Sequence, residues 1–119
     1  PYLETGNLDI TRDFTDVRDI DYAYHLLLES GRDGEVYNVC SGREVLLKDF
    51  LLKLKQISNI DFEVRIISDL HRNTEQQRVL GSFDKLNKIT GWKPKILFDT
   101  SILHIYNYWL EKTKMEFKS

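Results

Sequence analysis

Two arginine-centred clusters hold most of the chemical potential of this 119-residue sequence. The first runs through Gly6-Asn7, Arg12-Asp13-Phe14, Asp16, Arg18 and Asp19. An arginine just ahead of a helix start can reach an anion while the helix amides add positive potential. The second is His71, Arg72, Glu75 and Arg78, in the most polar stretch of the chain. There a guanidinium suits a phosphate, and a carboxylate three residues on suits a pair of ribose hydroxyls. Taken alone, Arg12 can equally be a loop ion pair and the second cluster a solvated charge patch.

Other reactive side chains lack partners in sequence. His25, His71 and His104 show no HExxH or HxH spacing, and Arg72 beside His71 disfavours a cation, so no metal site is expected. Cys40 has no base nearby in sequence and reads as a small packed side chain. No GxxGxxG or Walker loop occurs, so no dinucleotide cradle is expected. Tyr108 and Lys112 match the YxxxK spacing of a proton-transfer pair. They fall in an aromatic helix near the chain end with no cofactor fold ahead of them, and no catalytic residue is assigned.

The elements that position these groups follow from periodicity. Residues 1–14 read as loop and short extended segments. Thr15 or Asp16 can cap a helix presenting Val17, Ile20, Ala23, Tyr24, Leu27 and Leu28, stopped by Gly31. Residues 35–39, EVYNV, read as a short strand, and 48–57 as a helix with Leu47, Phe50, Leu51 and Leu54 along one face. Residues 61–67 alternate like a half-buried strand, and 69–80 read as loop. Ser82 can cap a short helix ending at Gly91. A last helix starts at Asp99 or Thr100 and runs to about Lys112, with Ile102, Ile105, Tyr106, Trp109 and Leu110 inward. The first, second and last long helices should then build much of the core, with Trp109 buried in it.

Apolar residues at 41% and charged residues at 30% describe an ordinary globular chain with room for one domain, residues 1–119. A net charge of -2 argues against broad nucleic-acid or anionic-membrane binding. A single cysteine excludes an intrachain disulfide, and no apolar run approaches the roughly 20 residues of a membrane span. No signal-peptide pattern is found, which makes the cytoplasm the expected location. The chain begins at Pro1 and reads as part of a longer protein.

The order GNLDITRDFTDVRD (6–19), GEVYNVCSG (34–42) and GSFDKLNKITGWKPKILFDTSI (81–102) resembles the carboxy-terminal substrate-binding portion of an extended short-chain dehydrogenase/reductase. Within that family it is most similar to the nucleotide-sugar branch, and there to the GDP-4-keto-6-deoxymannose reductases. GDP-mannose 4,6-dehydratases and other nucleotide-sugar epimerases are the alternative. The resemblance implies a partial α/β domain of about four helices and short strands, its amino-terminal Rossmann domain lying outside this sequence. It implies that Arg12 and Arg72 contact the substrate diphosphate, that Glu75 accepts from the ribose hydroxyls, and that Asn7 borders the nucleotide pocket.

The parent enzyme would use NADPH or NADH, deliver hydride to C4 of a GDP-linked 4-keto-6-deoxy sugar, and be a homodimer. Its catalytic tyrosine and lysine would lie upstream. This segment alone is expected to bind no cofactor and to be inactive, with apolar surface exposed where the Rossmann domain docks. A non-catalytic nucleotide-sugar-binding or interaction fragment is the reading of a different class. Three positions depart from the family pattern. Asn73 replaces a proline, Cys40 a turn glycine that would strain a cysteine if it needed positive φ, and Leu47 a helix-capping serine or threonine.

Overall fold

A computed structural model describes residues 1–68 and 76–116. Strand β1 (Tyr2–Thr5) is followed by β2 (Thr11–Asp13), helix α1 (Val17–Ser30), β3 (Glu44–Leu46) and helix α2 (Leu47–Ser58). Strand β4 (Glu63–Ile66), helix α3 (Asp84–Thr90) and helix α4 (Phe98–Glu116) complete the order. The fold is α/β, four helices with short strands among the described residues. The strands form two pairs: β1 parallel to β4, with Tyr2 opposite Glu63, and β2 antiparallel to β3, with Arg12 opposite Val45. No helix among the described residues is long and apolar enough to cross a membrane.

Asp16 caps α1, its carboxylate accepting from the Arg18 amide at 3.0 Å. α3 ends at Gly91, whose φ of 72° makes it a left-handed cap, and Ser82 Oγ accepts from the Asp84 amide. α2 has Leu46 at its cap position and no side-chain cap. Carbonyls from the β1–β2 connection replace it: Leu47 N donates to Ile10 O at 3.0 Å and Lys48 N to Leu8 O at 3.2 Å. The cap position is therefore Leu46 and not the expected Leu47, and tertiary contacts offset the missing side-chain cap.

The core differs from the sequence expectation. Ile10, Ala23, Leu86, Trp92 and Ile102 are the buried apolar residues, and Ala23, Leu86 and Trp92 form one cluster with Leu26, Leu27, Tyr37, Val39 and Phe83 against it. α1 and α3 therefore make the centre, while α2 buries no residue fully. Trp109 is 56% exposed, and Ile105 and Leu110 are exposed with it. The apolar period of α4 is real, but α2 covers only its beginning, where Phe50 and Phe98 pack at 5.8 Å. Residues 35–39 are not a strand: they have the period of two but no ladder partner among the described residues.

Candidate functional site

β2 points alternate side chains to opposite faces, so Arg12 is separated from Thr11 and Asp13. Arg12 Nη1 donates to Thr11 O at 2.7 Å and to Gln76 O at 2.8 Å. Among the described residues its Nε and Nη2 make no hydrogen bond, which leaves one edge of a half-buried guanidinium available to an anion. Residues 76–79 run beside β2 as a strap. Thr11 N donates to Gln77 O at 2.9 Å, Val79 N to Thr11 O at 3.2 Å, and Thr11 bridges Arg78 in parallel.

Asn7 turns its side-chain oxygen onto the Asp9 amide at 2.9 Å. That closes the bend which brings the carbonyls of Leu8 and Ile10 to the start of α2. Arg18, the other arginine of the first cluster, is committed elsewhere. It forks onto Asp16 with two bonds of 2.8 Å, and its Nη2 donates to His104 Nδ1 at 3.0 Å. Asp16, two residues before it, is thus its ion-pair partner.

Sequence reasoning missed how the acids at three-residue spacing work. Asp13 accepts from Ser41 N and Gly42 N at 2.8 and 2.9 Å and from Gly81 N at 3.3 Å, tying two distant turns to β2. Asp16 joins α1 to α4 through Ser101 Oγ at 2.6 Å. Asp19, buried, accepts from the amides of Lys95 and Ile96 at 3.0 and 2.9 Å. The one readable signal was a D-x-x-D-x-x-D run across a helix start. Cys40 adopts no positive φ; Gly42, at 68°, takes the turn position that needs it. Burial first, then the nearby Asp13 charge, push the Cys40 thiol above its usual value, away from nucleophilic reactivity.

A cleft of about 570 Å³ opens between the start of α1 and α4, lined by Phe14, Phe50, Phe98, Ile105 and Trp109 among others. Neither Asn7 nor Arg12 lines it. Arg72 and Glu75 lie outside the described residues.

The family model described as GDP-mannose 4,6 dehydratase matches residues 1–105. The chain belongs to that family. A GDP-6-deoxy-D-mannose reductase of Pseudomonas aeruginosa is 40% identical over 96% of this chain and 38% of its own length. A probable GDP-L-fucose synthase 1 of Oryza sativa subsp. japonica is 27% identical, over 84% of this chain and 30% of its own. The structure of RMD from Pseudomonas aeruginosa complexed with NADPH superposes with a TM-score of 0.86 at 40% identity, covering 93% of this chain and 36% of that one. A Thermotoga maritima UDP-glucose 4-epimerase shares the fold, with a TM-score of 0.86 at 22% identity. The chain thus spans about a third of these relatives' length.

Dinucleotide cofactors in such folds rest on a glycine-rich turn between strand and helix, whose free amides face the pyrophosphate. Among the described residues β3 runs straight into α2, but through Leu46-Leu47, and the first amides of α2 are bonded to Ile10 and Leu8 carbonyls. These residues do not fit a nicotinamide cofactor. Tyr108 and Lys112 do not rescue that role. Both are exposed on α4, with Lys112 Nζ lying 4.9 Å from the Trp109 ring centre.

Proposed function

We propose that residues 1–119 form the carboxy-terminal, substrate-gripping part of a GDP-4-keto-6-deoxymannose reductase, with nicotinamide binding and hydride transfer carried by a portion of the enzyme outside this span. The observation that carries the proposal is Arg12. One of its nitrogens is held by two carbonyls and, among the described residues, its other edge makes no hydrogen bond, the arrangement a diphosphate needs. Arg72 is the second diphosphate contact, Glu75 the ribose acceptor, and Asn7 the border of the nucleotide pocket. The 40% identity to a reductase favours reduction at C4 over the dehydration for which the family is named. The parent is a cytoplasmic homodimer that uses NADPH or NADH and a GDP-linked 4-keto-6-deoxy sugar.

The test is calorimetric titration of GDP into the full-length enzyme and its Arg12→Lys variant. Lysine keeps the charge but loses the planar fork, so GDP should bind roughly 5- to 150-fold more weakly, with NADPH affinity unchanged. Normal GDP affinity in the variant would remove Arg12 from the substrate site.

A further inference from the structure

Three chain segments meet on a single carboxylate oxygen beside Arg12. Glu44 Oε1, at the start of β3, accepts from Thr11 Oγ1 of β2 at 2.6 Å and from Arg78 Nε of the strap at 2.8 Å. The Arg78 bond first and the Thr11 bond second hold the Glu44 carboxyl below its usual range. Thr11 is shared as well. Its carbonyl accepts both from Val79 N of the strap and from Arg12 Nη1, while Gln76 O, also on the strap, takes the second bond from the same Nη1. The direction of the Arg12 guanidinium therefore depends on how the strap lies against β2.

We propose that Glu44 is a positioning residue for the nucleotide-sugar diphosphate. By clamping Arg78 and Thr11 it fixes the strap on β2, and the strap fixes the two carbonyls that orient Arg12. This rests on the diphosphate role of Arg12 given above. The clamp suits orientation better than stability. Arg78 is 64% exposed and Glu44 31%, and ion pairs so open to water add little to folding. A guanidinium whose supporting carbonyls shift by a fraction of an ångström loses its two-bond fit to a phosphate group.

The experiment uses the full-length enzyme and the variants Glu44→Ala, Glu44→Gln, Arg78→Ala and Glu44→Ala/Arg78→Ala, with Arg12→Lys as reference. GDP dissociation constants, KM and kcat for the GDP-4-keto-6-deoxy sugar, and thermal midpoints are measured for each. Glu44→Ala should raise the GDP Kd and the KM together by roughly 3- to 30-fold, with kcat and the thermal midpoint close to wild type. Glu44→Gln, which keeps an acceptor oxygen, should fall between. The double variant should be no weaker than the worse single one, because both act through one clamp.

If Arg12→Lys weakens GDP binding while Glu44→Ala and Arg78→Ala do not, the positioning role is wrong and the diphosphate reading stands. If Arg12→Lys itself binds GDP normally, the diphosphate reading is what fails. A fall in kcat at unchanged KM would also overturn the proposal. Should Glu44→Ala lower the thermal midpoint severely, Glu44→Gln and Arg78→Ala decide the matter by the same criteria.

Discussion

A carboxylate offers about four acceptor positions, and Asp13 and Asp16 fill nearly all of theirs. Asp16 illustrates the consequence. Its oxygens take the Arg18 amide, both arms of the Arg18 fork and the Ser101 hydroxyl, on a side chain only 7% exposed. The Arg18 bond is the largest influence. Burial opposes it, the Ser101 bond adds to it, and the net result holds the carboxyl well below its usual 3.8. A carboxyl that ionises more readily folded than unfolded contributes its full stability above the unfolded pKa and loses it as pH falls through and below that value. Asp16→Asn should therefore be less stable than wild type at pH 7. The gap should narrow from about pH 4 downward, the ordinary range for an aspartate. Urea midpoints for both proteins across pH 2–7 check this, and a gap independent of pH would refute it. Asp13 hangs two turns on its oxygens, and Asp19 holds residues 95 and 96.

Elements were legible where their signals are local. The Asp16 cap, the Gly91 stop and the periods of α1, α2 and α3 are all written within a few residues of where they act. What sequence hid depends on distant partners. The start of α2 is capped by Leu8 and Ile10 carbonyls, and the Arg12 support comes from Gln76, 64 positions away. The two tryptophans show the same divide. Trp109 carries the apolar helical period in sequence while Trp92 stands between Gly91 and Lys93, yet only Trp92 finds a cover. It is 1% exposed, edge-on to Phe83 at 5.4 Å, and its indole N–H donates to Asp19 O at 2.9 Å. Trp92→Ala should cost about 3–5 kcal/mol, the usual loss for a buried large aromatic. Trp109→Ala should stay within about 1 kcal/mol, since the residue lies on an open helix face. Chemical denaturation of the two variants compares them directly, and equal losses would mean that α4 is packed in solution. Residues 35–39 teach a related lesson: alternation gives a segment two faces, but a strand also needs an edge to pair with.

At the scale of the whole molecule, surface outweighs interior. The chain exposes 8971 Å², whereas a compact monomer of its mass exposes about 6,700 Å². Its radius of gyration is 17.6 Å, against about 13.5 Å for a compact domain of this length. The excess, roughly 2,200 Å² on one side, exceeds the about 800 Å² that each partner of a standard-size interface buries. Large apolar side chains contribute to it: Val17 and Leu28 on α1, at 73% and 88% exposure, and Ile105 and Trp109 on α4. Such surface in water is covered either by a further protein segment or by a second copy of the chain. The 119-residue chain prepared alone should accordingly self-associate with rising concentration and oxidise neither NADPH nor NADH in the presence of the GDP-4-keto-6-deoxy sugar. Val17→Asp with Leu28→Glu should shift it toward monomer, because charge on α1 penalises burial of that face. Sedimentation velocity on both forms, alongside the cofactor assay, makes the comparison. A chain that stays monomeric at high concentration would show the apolar faces to be tolerated in water, and sustained turnover would place the chemical step within these residues. Association relieved by the two charges, with no turnover in either form, is the behaviour that the proposed substrate-gripping role requires.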